Sequence, residues 1–599
     1  MQKHQETSAR GGAAGGAASR SWLAAMRGYD WATYRQLFTP KLVTALKAGY
    51  TRDMARHDVL AGITVAILAL PLSMATAIGC GVTPDRGLTT AVVAGALISA
   101  LGGSRFQIGG PAAAFIVIVA QVYQQHGNDG LVAATFLAGL ILVVAGLAQL
   151  GSYIKYIPGP VILGFTSGIG AIIAVGQVKD FLGLTGTVPS EFFDKVEALW
   201  HMRSTFNPSA FAVGAAALAG IVALKRWRPH WPGLLIAVVA ASAAVWALKL
   251  PVETIGSRFG GIPSSLPPPR LPDLSWGKVQ AILSPAFTIA FLIGVESLLS
   301  AVAADTMART RHRSNMEVVA QGVANIGSAL FGGLPATGVI ARTGTNIQAG
   351  ARTPVAGILH ALFVLLFMLL LAPLANYLAL PCLAAVLLAT AWRLLEIDHV
   401  SHFLGRAPWD DRVVLLATLI LTIVVDLSVA IAVGVVLASI LFMHRMAEVQ
   451  TLSTAGGHMV LDDVADGSEA RSVIMTETLP EGIRVFELRG PLFFGATARL
   501  GVALAGLAHW PRVIILRMRD VPLVDATGID ALDELMELAD RHGCRIVISG
   551  LQKQPRRAMQ SYGLLAKHHI VPASNSYVAL EKAKNLLEDG QVRRSSHKP

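Results

Sequence analysis

Charge is scarce in this sequence. Only 15% of its 599 residues are Asp, Glu, Lys or Arg, and 53% are hydrophobic; ordinary soluble domains carry ~25% charge. With a mean hydropathy of +0.55, the chain cannot coat a soluble surface, which excludes a soluble globular enzyme or binding module. Cysteine is almost missing. Cys80, Cys382 and Cys544 lie far apart and two of them sit in apolar runs, so neither a disulfide framework nor a metal-ligand spacing exists. No glycine-rich phosphate loop ending in Lys-Ser or Lys-Thr occurs, which argues against an ATP-driven pump. No nucleophile and base are paired as an enzyme would need. The net charge of +11 does not imply nucleic acid, because the basic residues fall in short clusters between apolar segments rather than on one amphipathic face. The first fifty residues lack the pattern of a signal peptide. These fifty residues, with the Gly/Ala-rich run Gly11 to Ala18, read as disordered or interfacial, and Asp30 to Tyr50 as a surface helix.

What the chain has instead is apolar runs separated by short polar breaks, from Asp58 to Met446. A spanning helix needs ~20 apolar residues, fewer where it is broken. Fourteen segments can be counted, beginning near Asp58, Arg86, Ile108, Leu131, Pro158, Ser209, Trp231, Leu283, Glu317, Ala336, Pro354, Leu378, Asp411 and Asp426. With a cytoplasmic N-terminus, the loops after even-numbered segments should be basic. They carry Arg105, Lys155, Lys225 to Arg228, Arg309 to Arg313, Arg352, Arg393 and Arg406, although Lys179, Lys195, Arg203, Arg258 and Arg270 break the rule on the other side. An even count returns the C-terminal region to the cytoplasm. That region changes character: Ile483 to Arg489, Arg512 to Arg517 and Arg545 to Ser549 read as strands, with helical spacing over Ala496 to Leu507 and Gly528 to His542. The expected organisation is an N-terminal region 1–57, a transmembrane domain 58–446, a linker 447–478, a small α/β domain 479–588 and a basic tail 589–599.

Two segment starts stand out. The third opens Gly109-Gly-Pro-Ala-Ala-Ala-Phe115 and the tenth Gly332-Gly-Leu-Pro-Ala-Thr-Gly338. Unpaired backbone is tolerated at membrane depth only where protein or a watery cavity surrounds it. Transporters built from inverted repeats meet at such discontinuous helices, and a third and a tenth segment are the matching pair of a seven-plus-seven repeat. Two opposed helix N-termini favour an anion between them, and Arg342 adds a full charge. The plainer alternative makes Pro335 and its glycines a surface loop, with Arg342 snorkelling to headgroups.

Glu296 is the other intramembrane charge. Such a group faces a cavity or a partner, and burial opposes its ionised form, so it could carry a proton in with the anion. It could equally pair with Arg342. Ser73, Thr76, Ser297 and Ser300 offer hydroxyl donors to an oxyanion, or else bond carbonyls one turn back.

Asp58-Val-Leu-Ala-Gly-Ile-Thr-Val-Ala66 with Leu70-Pro-Leu, Gly103-Ser-Arg through Gly110-Pro, Ala341-Arg-Thr through Gly350-Ala-Arg-Thr353, and Asp525-Ala-Thr-Gly528 together resemble the SulP anion transporters from about Asp58 to the end of the chain. The resemblance implies a polytopic α-helical membrane protein with fourteen spans as two inverted sets of seven, then a cytoplasmic STAS domain. It implies a bacterial inner-membrane carrier with both termini cytoplasmic that forms homodimers and imports a small anion.

 The coupling ion it implies is a proton or, alternatively, sodium, with no other cofactor and no metal site. Ala112, Ala113 and Gly110 at one helix start and Thr337, Gly338, Ala341 and Arg342 at the other map onto the anion site, with Ser73 and Thr76 beside them. Glu296 and Ser300 map onto the ion-coupling position. In the STAS part Asp525, Thr527 and Gly528 match the regulatory motif, although Ala526 replaces a hydroxyl residue of the related soluble regulators, and a cytoplasmic protein partner is implied. The stretches Phe165 to Gly170, Lys179 to Leu184 and Gly490 to Phe494 look most like the family's bacterial C4-dicarboxylate transporter. Succinate, fumarate or sulfate is therefore the expected cargo. Sodium-dependent transport of bicarbonate or sulfate is the alternative, and a non-transporting, membrane-anchored STAS scaffold is the alternative of another class.

Overall fold

The computed structural model describes residues 37–152, 158–189, 191–228, 231–425, 427–449, 451–455, 458–462, 474–493, 509–567 and 570–595. The Gly/Ala-rich start, Lys155, the helix expected over Ala496 to Leu507 and the last four residues lie outside them. The chain forms two compact units that part at Val435 and Val436.

The first unit is helical. Its main elements are α1 (Arg52–Gly79), α2 (Pro84–Leu101), strand β1 (Gly109–Pro111), α3 (Ile116–Leu147), α4 (Gly159–Gly176), α5 (Pro208–Trp227), α6 (Gly233–Ala247), α7 (Trp276–Ala308), α8 (Ser314–Leu330), strand β2 (Ala336–Gly338), α9 (Ile340–Gln348), α10 (Val355–Ala375), α11 (Leu380–Leu395), α12 (Trp409–Val424) and the part up to Val435 of α13 (Leu427–Val449). Eight stretches among the described residues are long and apolar enough to cross a membrane. Several other apolar segments form shorter helices, because glycines and prolines interrupt them. Gly127, at φ 66°, kinks α3 into two parts.

Local chemistry explains the helix starts. Thr51 caps α1 by accepting from the Met54 N–H, and Asn207 caps α5 by accepting from Ser209 and Ala210. Pro84 and Pro208 open α2 and α5, where a missing N–H costs no hydrogen bond. Close packing rests on small residues. A Cβ on Gly139 of α3 would lie 2.7 Å from the Gly322 carbonyl oxygen, and one on Gly322 of α8 would lie 2.6 Å from that of Gly139. Those two backbones touch, as in small-residue contacts between membrane helices.

The second unit contains a five-stranded sheet in the order β3-β6-β7-β8-β9 and a separate hairpin of β4 and β5. The strands are β3 (Thr451–Ala455), β4 (His458–Asp462), β5 (Ile474–Thr478), β6 (Ile483–Arg489), β7 (Val513–Asp520), β8 (Arg545–Ser549) and β9 (Ile570–Ala573), with helices α14 (Ala526–Arg541) and α15 (Ser576–Ser595). Strands β6 to β9 are parallel, and β3 joins β6 antiparallel. Successive residues of β7 serve opposite cores: Ile514, Leu516 and Met518 pack with Leu532 and Leu535 of α14, whereas Val513 and Ile515 pack with Ala579 and Leu580 of α15. Covering on both faces is what a parallel sheet requires. Part of the expected linker is thus strand, since 451–455 and 458–462 have partners to pair with.

A buried carboxylate locks α1 to the start of α10. Asp58 accepts from the N–H groups of Arg352 and Thr353 at 2.7 and 3.0 Å, from the Thr353 hydroxyl at 2.5 Å and from the Tyr50 hydroxyl at 3.2 Å. Burial first and the Asp58 carboxylate second push the Tyr50 phenol up to about 12, so it remains a donor at neutral pH. Removing the acceptor strands these donors. Asp58→Ala is expected to cost about 2–4 kcal/mol, with Asp58→Asn in between. Thermal unfolding of the detergent-solubilised protein measures it, and an unchanged midpoint in Asp58→Ala would remove Asp58 from this role.

Candidate functional site

The site is built around two strands of three residues each, β1 and β2, which pair antiparallel with Gly109 opposite Gly338, Gly110 opposite Thr337 and Pro111 opposite Ala336. The Val339 N–H extends the pairing to the Ile108 carbonyl at 2.9 Å. Each strand then runs into a helix: β1 through a single 3-10 turn, Ala113–Phe115, into α3, and β2 directly into α9. Because the strands are antiparallel, the two helices leave in opposite directions with their N-terminal ends at the crossing. Their first N–H groups have no partner within their own helix.

Polar side chains hold this backbone where water is scarce. Asn325 of α8 grips Ala336 from both sides, its amide donating to the carbonyl and accepting from the N–H, each at 2.8 Å. Ser328 donates to the Leu334 carbonyl at 2.7 Å, and Thr90 of α2 accepts from the Leu334 N–H at 2.7 Å. Gln107 donates to the Ser297 carbonyl at 3.0 Å, Thr343 accepts from the Ile108 N–H at 3.1 Å, and Asn346 donates to the Phe106 carbonyl at 2.9 Å. Glycine is required at the crossing. A Cβ on Gly338 would overlap Gln107 Nε2, and one on Gly110 would come within 2.2 Å of Arg342 Nη1.

Arg342 is fully buried. Its Nη2 donates to the Ser73 hydroxyl at 3.0 Å and to the Pro111 carbonyl at 3.4 Å, while Nε and Nη1 are buried without a hydrogen-bond partner among the described residues. This guanidinium therefore joins α1, β1 and α9, and it keeps donors to spare. Snorkelling to a headgroup is not what the side chain does.

The remaining expected residues divide clearly. Ala112 and Ala113 are buried at the turn before α3, and Ala341 sits in the first turn of α9. Thr337 donates to the Ile293 carbonyl at 3.3 Å, and Ser300 meets the Thr343 hydroxyl at 3.4 Å. Thr76 spends its hydroxyl on the Leu72 carbonyl one turn back at 2.8 Å, and Ser297 does the same with Gly294 at 3.2 Å. Glu296 is half-buried but its Oε2 is buried and unpartnered. Among the described residues no ion pair joins it to Arg342. In the second unit Asp525 caps α14 by accepting from the Gly528 N–H at 2.8 Å, and Thr527 is half-buried.

Sequence reasoning missed Gln107, Asn325, Asn346 and His360. The signal was an uncharged polar residue inside an apolar run, which costs free energy unless it is bonded. His360 is fully buried, and neither ring nitrogen has a partner among the described residues.

The sequence profile of the sulfate permease family matches residues 55–418, and that of the STAS domain matches residues 475–576. The chain belongs to the sulfate permease family. This family member is 38% identical to the putative sulfate transporter YvdB of Bacillus subtilis over 524 residues, covering 87% of this chain and 96% of that one. It is 31% identical to the bicarbonate transporter BicA of Synechocystis over 560 residues, covering 90% and 95%. Among solved structures, the murine anion transporter Slc26a9 superposes with a TM-score of 0.80 over 93% of this chain and 96% of its own, at 19% identity, a likeness of fold. The transmembrane domain of a cyanobacterial BicA gives 0.59 over 64% of this chain and 98% of its own, at 29% identity. These relatives are transporters, and the family member described here is a multi-pass membrane transporter rather than an enzyme.

Arg342→Ala is expected to abolish saturable anion uptake while leaving the protein inserted and monodisperse, and Arg342→Lys to recover only part of it, since an ammonium lacks the planar fork. Uptake and size-exclusion profiles of the purified variants measure both. Normal uptake in Arg342→Ala would take the residue out of the site.

Proposed function

We propose that this chain is a secondary active anion transporter that imports a small dianion, sulfate or a C4-dicarboxylate such as succinate or fumarate, with protons across the bacterial inner membrane. In this reading fourteen spans form two inverted sets of seven, residues 58–446 transport, residues 479–588 form a cytoplasmic STAS domain, both termini are cytoplasmic and the protein is a homodimer. One observation carries the anion assignment: two helix starts meet beside a buried guanidinium with unused donors and no carboxylate partner among the described residues. An anion at the crossing would take up those donors and the positive ends of both helices together.

Glu296 is the coupling residue. Its unpartnered oxygen lies one helical turn from Ser300, which meets Thr343 of α9. A bare carboxylate near the substrate would repel it, so a proton neutralises Glu296 during import. The same oxygen atoms suit sodium, which gives the second reading, sodium-dependent uptake of bicarbonate or sulfate; the likeness to a bicarbonate transporter supports its cargo. The STAS domain recruits a cytoplasmic protein, with Thr527 its candidate phosphorylation site. A purely scaffolding role fits poorly with unpaired polar groups buried at the crossing, each of which costs about 1–3 kcal/mol.

Uptake into proteoliposomes separates these readings. Labelled succinate, fumarate, sulfate and bicarbonate are compared with an inward proton gradient, an inward sodium gradient and neither. Accumulation of a dianion driven by protons is the expected result, and sodium-driven bicarbonate uptake would overturn both substrate and coupling. Glu296→Gln is expected to reduce proton-driven accumulation at least tenfold, roughly the effect of losing one coupling ion, while exchange at equal pH persists. An unchanged pH profile in Glu296→Gln would leave it a structural role only.

A further inference from the structure

The short helix Phe192–His201, between α4 and α5, is an element that the transport reading does not use. It packs against α4 and α12, and its three sides differ. At about 100° per residue, Phe192, Lys195 and Leu199 fall on one side. All three are half-buried, and Phe192 packs on the main apolar core. Phe193, Val196 and Trp200 fall on a second side and are 62, 44 and 66% exposed. Asp194, Glu197 and His201 fall on the third. All are exposed, with Glu197 Oε1 and His201 Nε2 3.6 Å apart.

A span ends or begins within a few residues on either side of this helix. The apolar stretch Gly159–Leu182, which contains α4, is long enough to cross a membrane, and the next such stretch, α5, opens at Pro208. The connection into α5 continues the aromatic surface. Phe206 is 44% exposed, and its ring centroid lies 6.0 Å from that of Phe211, itself exposed on the first turn of α5. The Arg203 guanidinium carbon lies over the Trp200 ring, 4.2 Å from its centroid. Five of the twenty residues 192–211 are aromatic, namely Phe192, Phe193, Trp200, Phe206 and Phe211, against 7% of the whole chain. Aromatic rings gather where hydrocarbon gives way to water.

We propose that the helix Phe192–His201 lies in the phospholipid headgroup layer, with Phe193, Val196 and Trp200 turned to the acyl boundary, Asp194, Glu197 and His201 to water, and Arg203 at the level of the lipid phosphates. A helix about 10–12 Å across here needs packed protein, apolar surroundings and water on three successive sides. Those three meet at the rim of a membrane protein where it leaves the bilayer, and an amphipathic helix settles there by burying its apolar side. A protein partner would cover Phe193, Val196 and Trp200 equally well, but it would not explain why the stripe lies within a few residues of two spans and continues through Phe206 into the exposed surface of α5. Arg203, stacked on Trp200, carries its charge where phosphate oxygens accept hydrogen bonds. The helix thereby sets the depth at which the adjoining ends of α4 and α12 sit. The inference is independent of which anion is carried.

The test uses the full-length protein in liposomes of phosphatidylethanolamine and phosphatidylglycerol. Cys80, Cys382 and Cys544 are buried, so a single introduced cysteine takes up an environment-sensitive fluorophore. Phe193→Cys and Val196→Cys probe the apolar stripe, and Asp194→Cys and Glu197→Cys the polar one; all four side chains are exposed, and each variant is first shown to be monodisperse by size exclusion. Quenching by a nitroxide carried on the lipid near its headgroup should be roughly threefold or more stronger at 193 and 196 than at 194 and 197, with quenching by aqueous iodide weaker in the same ratio. Every other pattern overturns the proposal. Equal iodide quenching on both stripes would put the helix in water, and protection of 193 and 196 from both quenchers would mean that a protein partner or a second copy covers them.

Discussion

Six residues of extended backbone, paired as β1 and β2, are the constraint on which the first unit depends. Backbone that is not helical must find its hydrogen bonds inside the protein when water is scarce. Two short strands can satisfy only a few groups through each other. Everything that remains has to be met by side chains, and this explains why Asn325, Ser328, Thr90, Gln107, Thr343 and Asn346 lie in otherwise apolar surroundings. The crossing also dictates where side chains are forbidden. Gly110 and Gly338 leave the space that Arg342 and Gln107 occupy.

Much of this was legible in the sequence because it is written as interruption. Glycine, proline and hydroxyl residues within an apolar run are visible one at a time, so the helix breaks at Gly109 to Phe115 and at Gly332 to Gly338 could be found and set against each other. Their backbone pairing could not be read that way, since register between segments more than two hundred residues apart leaves no local periodicity. Hydroxyls were the least legible group. Ser73 and Thr76 lie three residues apart, yet one receives the guanidinium and the other bonds its own helix. Both outcomes suit a hydroxyl in a membrane helix, and only the packing of α1 against the crossing separates them.

The second unit shows the opposite balance. Apolar residues in β6, β7 and β8 made the strands visible, and the two-sided burial of β7 follows from covering by α14 and α15. The weak strands β3, β4 and β5 were read as linker, because Thr-Leu-Ser-Thr-Ala and His-Met-Val-Leu-Asp are too short and too polar to declare a strand alone. Such segments become strands because a partner edge is present, which is the usual dependence of β-structure on context.

Charge as well as pairing distinguishes the polar side chains of the first unit. Asp58 and Asn325 are fully engaged, and their partners are backbone groups that a broken helix leaves open. Among the described residues, Arg342, Glu296 and His360 keep atoms that no protein group satisfies, as do the amide oxygens of Gln107 and Asn346. A buried donor or acceptor left open lowers stability, and structural roles tend to eliminate such atoms. In the proposed reading, the open atoms of Arg342 and Glu296 are those that a ligand and its coupling ion would take up. The positive ends of two helices add to Arg342, and the combined field favours negative charge at the crossing. On this view the strands do not themselves bind anything. They hold two helix ends and one guanidinium close enough together for a small anion to be shared between the halves of the fold.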